Sequence, residues 1–246
     1  MMDKVPTIKD VARAAGVHAG TASRALNPGT RGMVNTRTAD RVLEAARALG
    51  YHPNSAARSL RTRISSVAGV IVPDLCNPVF PPIVRGIEDG LREAGYLALV
   101  GNTDGDGDRE RKLLTAMRGH PDGFILATSR REGVVLPIDG AGRPLPTVLV
   151  NRRTDTGDVA SVTADNAAGI HALVRYLVEL GHERIAHLAG PQDLSTGWER
   201  YRAFGDAMAV HGLTAAPDRV RFAEAFTDAA GYQAALRLLD ADPAVG

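Results

Sequence analysis

Thr21, Ser23 and Arg24 sit close together in the stretch GVHAGTASRALN, residues 16–27. Two hydroxyls and a guanidinium in so short a span can hydrogen-bond to an oxygen-rich partner, which is recognition chemistry rather than bond-making chemistry. Residue types that could make or break bonds do not assemble elsewhere. DGDGDRE (104–110) opens like a calcium loop, but its sixth position is Arg109 where glycine is needed, and its twelfth is Thr115 where an acid is needed. His182 and His187 stand five apart with no further ligands nearby in sequence, a poor basis for a metal site. Cys76 has no sequence-adjacent base and reads as a packing residue rather than a nucleophile. A nucleophile elbow of the GxSxG kind, a GK[ST] phosphate loop and a GxGxxG after the first strand are all missing. The expectation is no catalytic residue, no metal and no cofactor.

Composition narrows the class further. A hydrophobic content of 44% and a charged content of 23% are ordinary for a globular protein with a real core. One cysteine excludes an internal disulfide and fits a reducing cytoplasm. No stretch is apolar and long enough for a signal peptide or a membrane span. The net charge of +1 hides an asymmetry. Residues 1–63 hold 11 Lys/Arg and 4 Asp/Glu, whereas residues 64–246 hold 18 and 24. A basic head on an acidic body points to a polyanion at the head; the alternative is chance variation over a solvated face.

The elements that must position Thr21, Ser23 and Arg24 are legible from spacing. Thr7 can cap a helix, with Asp10 three residues on, and Ile8, Val11, Ala12 and Ala15 then form one apolar face. Gly16 supplies a turn around Val17. A short helix, about 19–26, buries Ala22, Ala25 and Leu26 and exposes Thr21, Ser23 and Arg24. A third helix, about 36–49, uses Val42, Leu43, Ala46 and Leu49. This order is a helix-turn-helix, although a plain three-helix bundle shares the pattern.

TIKDVARAAGV, TASRALN and ALGYHPNSAARSLRT, in this order and spacing, resemble the LacI/GalR family of bacterial transcriptional regulators. The resemblance implies that Thr7, Thr21, Ser23, Asn27, Asn35, Thr38, Tyr51 and Asn54 hold phosphates or shape the contact with double-stranded operator DNA. It implies that Arg24 reaches a base edge, where its fork matches guanine O6 and N7. His18 stands where the family usually has serine and can accept an N–H as a substitute cap or donate to phosphate. Ala19 can only touch a thymine methyl, and Gly20 reads nothing, so direct readout leans on Arg24. NSAARSLRTR (54–63) matches the family's hinge helix, with Ala57 small enough for close approach and Leu60 as the wedge between base steps. The alternative for Leu60 is a linker residue packing on the body.

Beyond residue 63, apolar runs alternate with helical stretches. SVAGVIVPD, YLALVGNTD, DGFILATS, PTVLVNRR, VASVTADN, RIAHLAG and VRFAEAF read as strands. Helices are expected over about 80–94, 109–118, 166–180, 196–211 and 229–239. Repeated strand–helix units imply parallel sheets covered by helices. The fold expected is an all-α helix-turn-helix head (1–62) followed by an α/β core of two subdomains, 63–164 and 165–246.

VPDLCNPVF, GIEDGLREAGY, DGFILA, DNAAG, LGHERIAHLAGP and STGWERYRAF resemble the family's effector-binding core, which is similar to periplasmic sugar-binding proteins. That resemblance places Val79, Phe80, Leu194, Thr196 and Arg200 in a cleft between the subdomains, outside the carboxyl ends of the strands. It makes Arg200 the anchor for effector hydroxyls or anionic groups. Leu194 replaces a polar purine contact, so a sugar or related polyol is the expected effector. Trp198 either shields the pocket or packs beside a helix start.

The resemblance also implies further strands after DADPAVG, so the second subdomain is expected to be incomplete, aggregation-prone and short of one pocket wall and part of a homodimer interface. The function expected is an effector-controlled, cytoplasmic DNA-binding regulator, a repressor, with no membrane partner. The alternatives are a stand-alone sugar-binding protein of transport, an enzyme on a doubly wound fold, and a non-functional fragment of a regulator.

Overall fold

Alanine dominates the first core the chain builds. Ala12, Ala15, Ala22, Ala25, Ala39 and Ala46 join Val11 and Val42 in a buried cluster ringed by Ile8, Val17, Leu26 and Tyr51. Small side chains let three short helices approach closely, and each methyl removed from water contributes only about 0.8 kcal/mol. The computed structural model describes residues 6–52 and 64–241. The chain divides into two compact units, Met1–Ser65 and Ser66–Gly246.

In the first unit, α1 (Ile8–Ala14) starts at Thr7, whose N–H and hydroxyl both donate to the Asp10 carboxylate, at 3.0 and 2.6 Å. Gly16 takes a left-handed φ of 63°, which ends α1 and lets the Val17 N–H reach back to the Ala12 carbonyl at 2.9 Å. Helix α2 (Ala19–Leu26) follows, then a single 3₁₀ turn (Arg31–Met33) and α3 (Thr36–Ala48), capped by the Asn35 side chain on the Arg37 N–H. Arg41 on α3 donates to the Ala15 carbonyl at 2.9 Å and ties the last helix to the first. Leu49, expected in this core, is 40% exposed, because α3 has ended and the chain is already turning away at Gly50.

The second unit is α/β. Strands β1 (Val67–Val72), β2 (Leu97–Asn102), β3 (Gly123–Leu126), β4 (Thr147–Val150) and β5 (Ser161–Val162) form one sheet in the order β2-β1-β3-β4-β5, all parallel. β1 is central, so both its faces are covered and its sequence is continuously apolar. Val70 and Val72 face α4 (Phe80–Glu93) through Phe80, Ile83, Val84 and Ile87. Ile71 faces Leu114 and Met117 at the end of α5 (Gly107–Ala116), with Phe124, Leu126 and Leu149. The acidic run 104–110 forms the turn into α5: Asp106 caps the helix by accepting from the Asp108 and Arg109 N–H groups, and Asp104 pairs with Arg109.

A second, smaller sheet pairs β6 (His187–Ala189) with β7 (Val220–Phe222), again parallel. Helices α6 (Asn166–Glu179) and α7 (Ser195–Val210) pack on it around Val174, Ile185, Phe204, Ala207, Met208 and Val220. Helix α8 (Asp228–Ala241) completes the described residues. Each expected strand and helix of the body is present. In each sheet the strands run in one direction, so their carboxyl ends open onto one edge.

Candidate functional site

In the first unit, the polar face of α2 carries the recognition residues. The helix has no serine or aspartate to start it. Its N-cap is His18, whose Nδ1 accepts the Gly20 N–H at 3.2 Å. An accepting Nδ1 leaves the ring proton of the neutral imidazole on Nε2, which can donate outward. Arg24 is exposed in the last turn of α2, and its guanidinium has no partner among the described residues. Thr21 and Ser23 are half-buried beside it, as are Ala19 and Gly20.

The surrounding polar residues are partly committed to local structure. The side-chain oxygens of Asn27 and Asn35 accept from the Gly29 and Arg37 N–H groups, at 3.2 and 3.0 Å, leaving their amide N–H donors. Thr7 gives its hydroxyl proton to Asp10. Thr38 is half-buried, and Tyr51 packs against the alanine core. Two residues that spacing did not mark hold the end of α2 in place. Thr30 donates to the Arg24 carbonyl at 3.1 Å and Arg31 Nε to the Ala25 carbonyl at 3.0 Å. Asn54, Ala57 and Leu60 lie outside the described residues.

In the second unit, a cavity of about 380 Å³ opens where the strand ends converge. Its walls come from the loop after β1 (Pro73, Asp74, Asn77), the start of α4 (Phe80), the β2–α5 turn with Glu110, and Thr128 and Arg130 after β3. Arg152 after β4, Asp193 and Leu194 after β6, and Glu224 to Thr227 after β7 complete it. This is where ligands bind in parallel α/β sheets.

Of the five residues expected there, Phe80 and Leu194 line the cavity. Thr196 is 2% exposed with its hydroxyl unpaired. Arg200 is half-buried outside the lining; its Nε donates to Asn166 Oδ1 at 2.8 Å and its guanidinium lies 5.8 Å from the Phe226 ring. Val79 is 52% exposed and outside the lining, at the N-cap of α4 just before Phe80.

Two family models match this chain. One describes bacterial regulatory proteins of the lacI family and covers residues 7–54. The other describes periplasmic binding proteins and the sugar-binding domain of the LacI family and covers residues 65–245. The chain belongs to the LacI family.

Relatives of this LacI-family chain include the ribose operon repressor of Halalkalibacterium halodurans, 35% identical over 82% of the chain and 59% of the relative. The transcriptional repressor CytR of Escherichia coli is 35% identical over 95% of the chain and 68% of its own length. The chain thus spans about three fifths to two thirds of such relatives. Among solved structures, a complex of the regulator CelR with cellobiose is 30% identical with a TM-score of 0.64, covering 98% of this chain and 72% of that one. The lac repressor dimer bound to operator and an anti-inducer has a TM-score of 0.76 over 96% of this chain and 71% of that one; at 22% identity it is a likeness of fold.

The LacI-family core also holds a cavity residue that spacing did not mark. Arg152 is 9% exposed, lines the cavity and leaves its Nε without a partner. Burial pushes its guanidinium down to about 10; the charge of Arg130 adds to that, and Glu110 opposes it. Across the cavity mouth, Arg130 pairs with Asp193.

A web of contacts links the two sheets. Glu199 accepts from Arg153 Nε at 2.7 Å and from Asn166 Nδ2 at 2.8 Å, and Asn166 in turn holds Arg200. Arg131 bonds Asp155 at 2.8 Å and the Gln192 carbonyl at 3.2 Å. Arg131 and Arg202 both lie over the Trp198 ring, at 4.2 and 5.1 Å from its centroid. Trp198 is outside the cavity lining, which favours packing over shielding.

His187 on β6 stacks on Phe204 at 4.9 Å between centroids and leaves Nε2 unpaired. Burial, and then the charge of Arg200, hold its pKa below the ordinary 6.5. The unfolded chain therefore binds this proton first as pH falls. Thermal stability should be flat above about pH 6.5 and decline below it, until the folded ring also titrates. A His187→Phe variant should lose that part of the decline in melting curves recorded at stepped pH; an unchanged pH profile would remove His187 as its source.

Proposed function

We propose that this chain carries the DNA-reading and effector-binding parts of a transcriptional repressor. The supporting observation is a single sequence that joins a recognition helix with an unpaired, exposed arginine to a core with a ligand-sized cavity at the carboxyl ends of parallel strands. Arg24 reads a base edge in the major groove, and Thr21, Ser23, the His18 Nε2–H and the side-chain amides of Asn27 and Asn35 grip phosphates. Asn54, Ala57 and Leu60 contact the minor groove, with Leu60 as the wedge. Two copies act on one near-palindromic operator, as two-fold recognition requires. The partner is thus double-stranded operator DNA, in the cytoplasm.

The effector is a sugar or related polyol. Relatives named for ribose and a structural neighbour bound to cellobiose support that class. A cavity near the lower end of the usual 300–1,000 Å³ range suits a small ligand. Phe80 and Leu194 offer apolar surface, Arg152 offers a buried donor, and Arg200 closes in from α7 with Thr196. Effector binding that draws the two sheets together changes the geometry delivered to the hinge, a difference in affinity between two states.

Selection from random DNA tests this reading. The protein should enrich a near-palindromic site, bind it with an affinity that falls steeply with salt, and release it when a sugar is added. Enrichment of no sequence, together with no response to any sugar, would overturn it.

A further inference from the structure

The charges around the cavity are unbalanced. Asp74, Asp104, Glu110, Asp193 and Glu224 line it, against Arg130 and Arg152; of the five, Asp104 is paired with Arg109 from outside the lining. Both guanidinium groups are already answered. Arg130 is paired with Asp193, and Arg152 feels the opposite charge of Glu110 without a direct ion pair between them. Glu110 is held in place from one side, where its Oε1 accepts the Thr128 hydroxyl at 2.5 Å. Glu110 and the nine-tenths-buried Arg152, whose Nε has no partner, line the same cavity and bring an acceptor and a donor to it.

We propose that Glu110 is a specificity-determining residue that admits uncharged, hydroxyl-rich ligands and bars their phosphorylated counterparts. This rests on the sugar-binding reading above. A hydroxyl fits the Arg152–Glu110 gap because it accepts and donates at once: its oxygen takes the Arg152 N–H and its proton goes to the Glu110 carboxylate. A phosphate monoester only accepts at neutral pH. Placed near Arg152, it would set its charge against the half-buried Glu110, with the more exposed carboxylates of the rim adding to the repulsion. The same carboxylates do not repel a neutral polyol and give its other hydroxyls acceptors.

Calorimetric titration of the wild-type chain and a Glu110→Gln variant tests this, with D-ribose, D-glucose and cellobiose set against ribose and glucose phosphate monoesters and inorganic phosphate. The amide keeps an oxygen for Thr128 and removes the charge. A free sugar should bind wild type at least about tenfold more tightly than its phosphate ester, about 1.4 kcal/mol, and Glu110→Gln should narrow that gap. A phosphate ester that binds wild type as tightly as the free sugar would overturn the inference while the sugar-binding reading stands. So would a gap that the folded variant leaves unchanged. Failure of every sugar and ester to bind would remove the sugar-binding reading itself. The wild-type comparison decides the charge preference even where the variant does not fold.

Discussion

Gly197→Ala should destabilise the α/β core by about 3 kcal/mol or more, lowering its melting temperature by on the order of 10 °C. Gly197 is buried in the first turn of α7. A Cβ there would lie 2.1 Å from the Pro191 carbonyl oxygen, 2.9 Å from the Pro191 carbonyl carbon and 3.0 Å from that of Gly190. All three are backbone atoms, so no side chain can rotate away. Relief requires α7 to move off the β6–α7 loop. That movement would carry Phe204, Ala207 and Met208 out of the core they share with β6 and β7 and pull Leu194 from the cavity wall. Gly205→Ala on the same helix is the control: nothing lies within 4 Å of its new methyl, so the better helix propensity should stabilise by up to about 1 kcal/mol. Melting curves for the two variants decide it. A Gly197→Ala protein that melts with the wild type would mean that the close approach does not exist in solution.

Arg24→Ala should cost about 1–3 kcal/mol at one base pair in each half-site and little elsewhere. The side chain is exposed and has no partner, so it meets DNA without first breaking a contact. Its backbone is held: Thr30 bonds the Arg24 carbonyl and Arg31 the next one. A fixed Cα with a free guanidinium aims at one place in the groove. With Ala19 and Gly20 at the start of the helix, no neighbour can take over the contact. Site selection with the variant should show preference relaxed at a single symmetric position. Uniform weakening across all sequences, with the salt slope reduced by about one, would identify Arg24 as a phosphate contact instead.

The regular parts of both units were legible because they obey periodic rules. β1 reads as a buried strand since Val70 and Val72 meet one layer and Ile71 the other. α1 is marked by Thr7, its apolar stripe and Gly16. The cavity was legible only where a motif carries it, as at Phe80 and Leu194. Arg152 was hidden for a geometric reason. It is the first of two consecutive arginines, and strand alternation alone would be read straight through β4. β4 has already ended at Val150 and Asn151 adopts a left-handed φ of 65°, so strand alternation does not extend to Arg152, which is nonetheless buried. Arg31 could not be placed from spacing, because a loop side chain bonding the end of a helix has no period at all. Gly197 carries no mark in the sequence, since sequence does not record which backbone passes beside it. The balance of charge around the cavity was likewise invisible, because it is assembled from loops after six different strands.

The contact of Arg131 with Trp198 gives the protein an optical gauge of its own. The chain has one tryptophan, so emission excited at wavelengths that its five tyrosines do not absorb comes from a single place. Trp198 rides on α7 with Arg202, whereas Arg131 extends from the loop after β3 in the larger sheet. Parting of the two sheets strips Arg131 from the indole face, admits water and shifts the emission to the red. Arg202 travels with the ring and leaves a constant background. Any parting of the two sheets can therefore be followed in real time, without any attached dye.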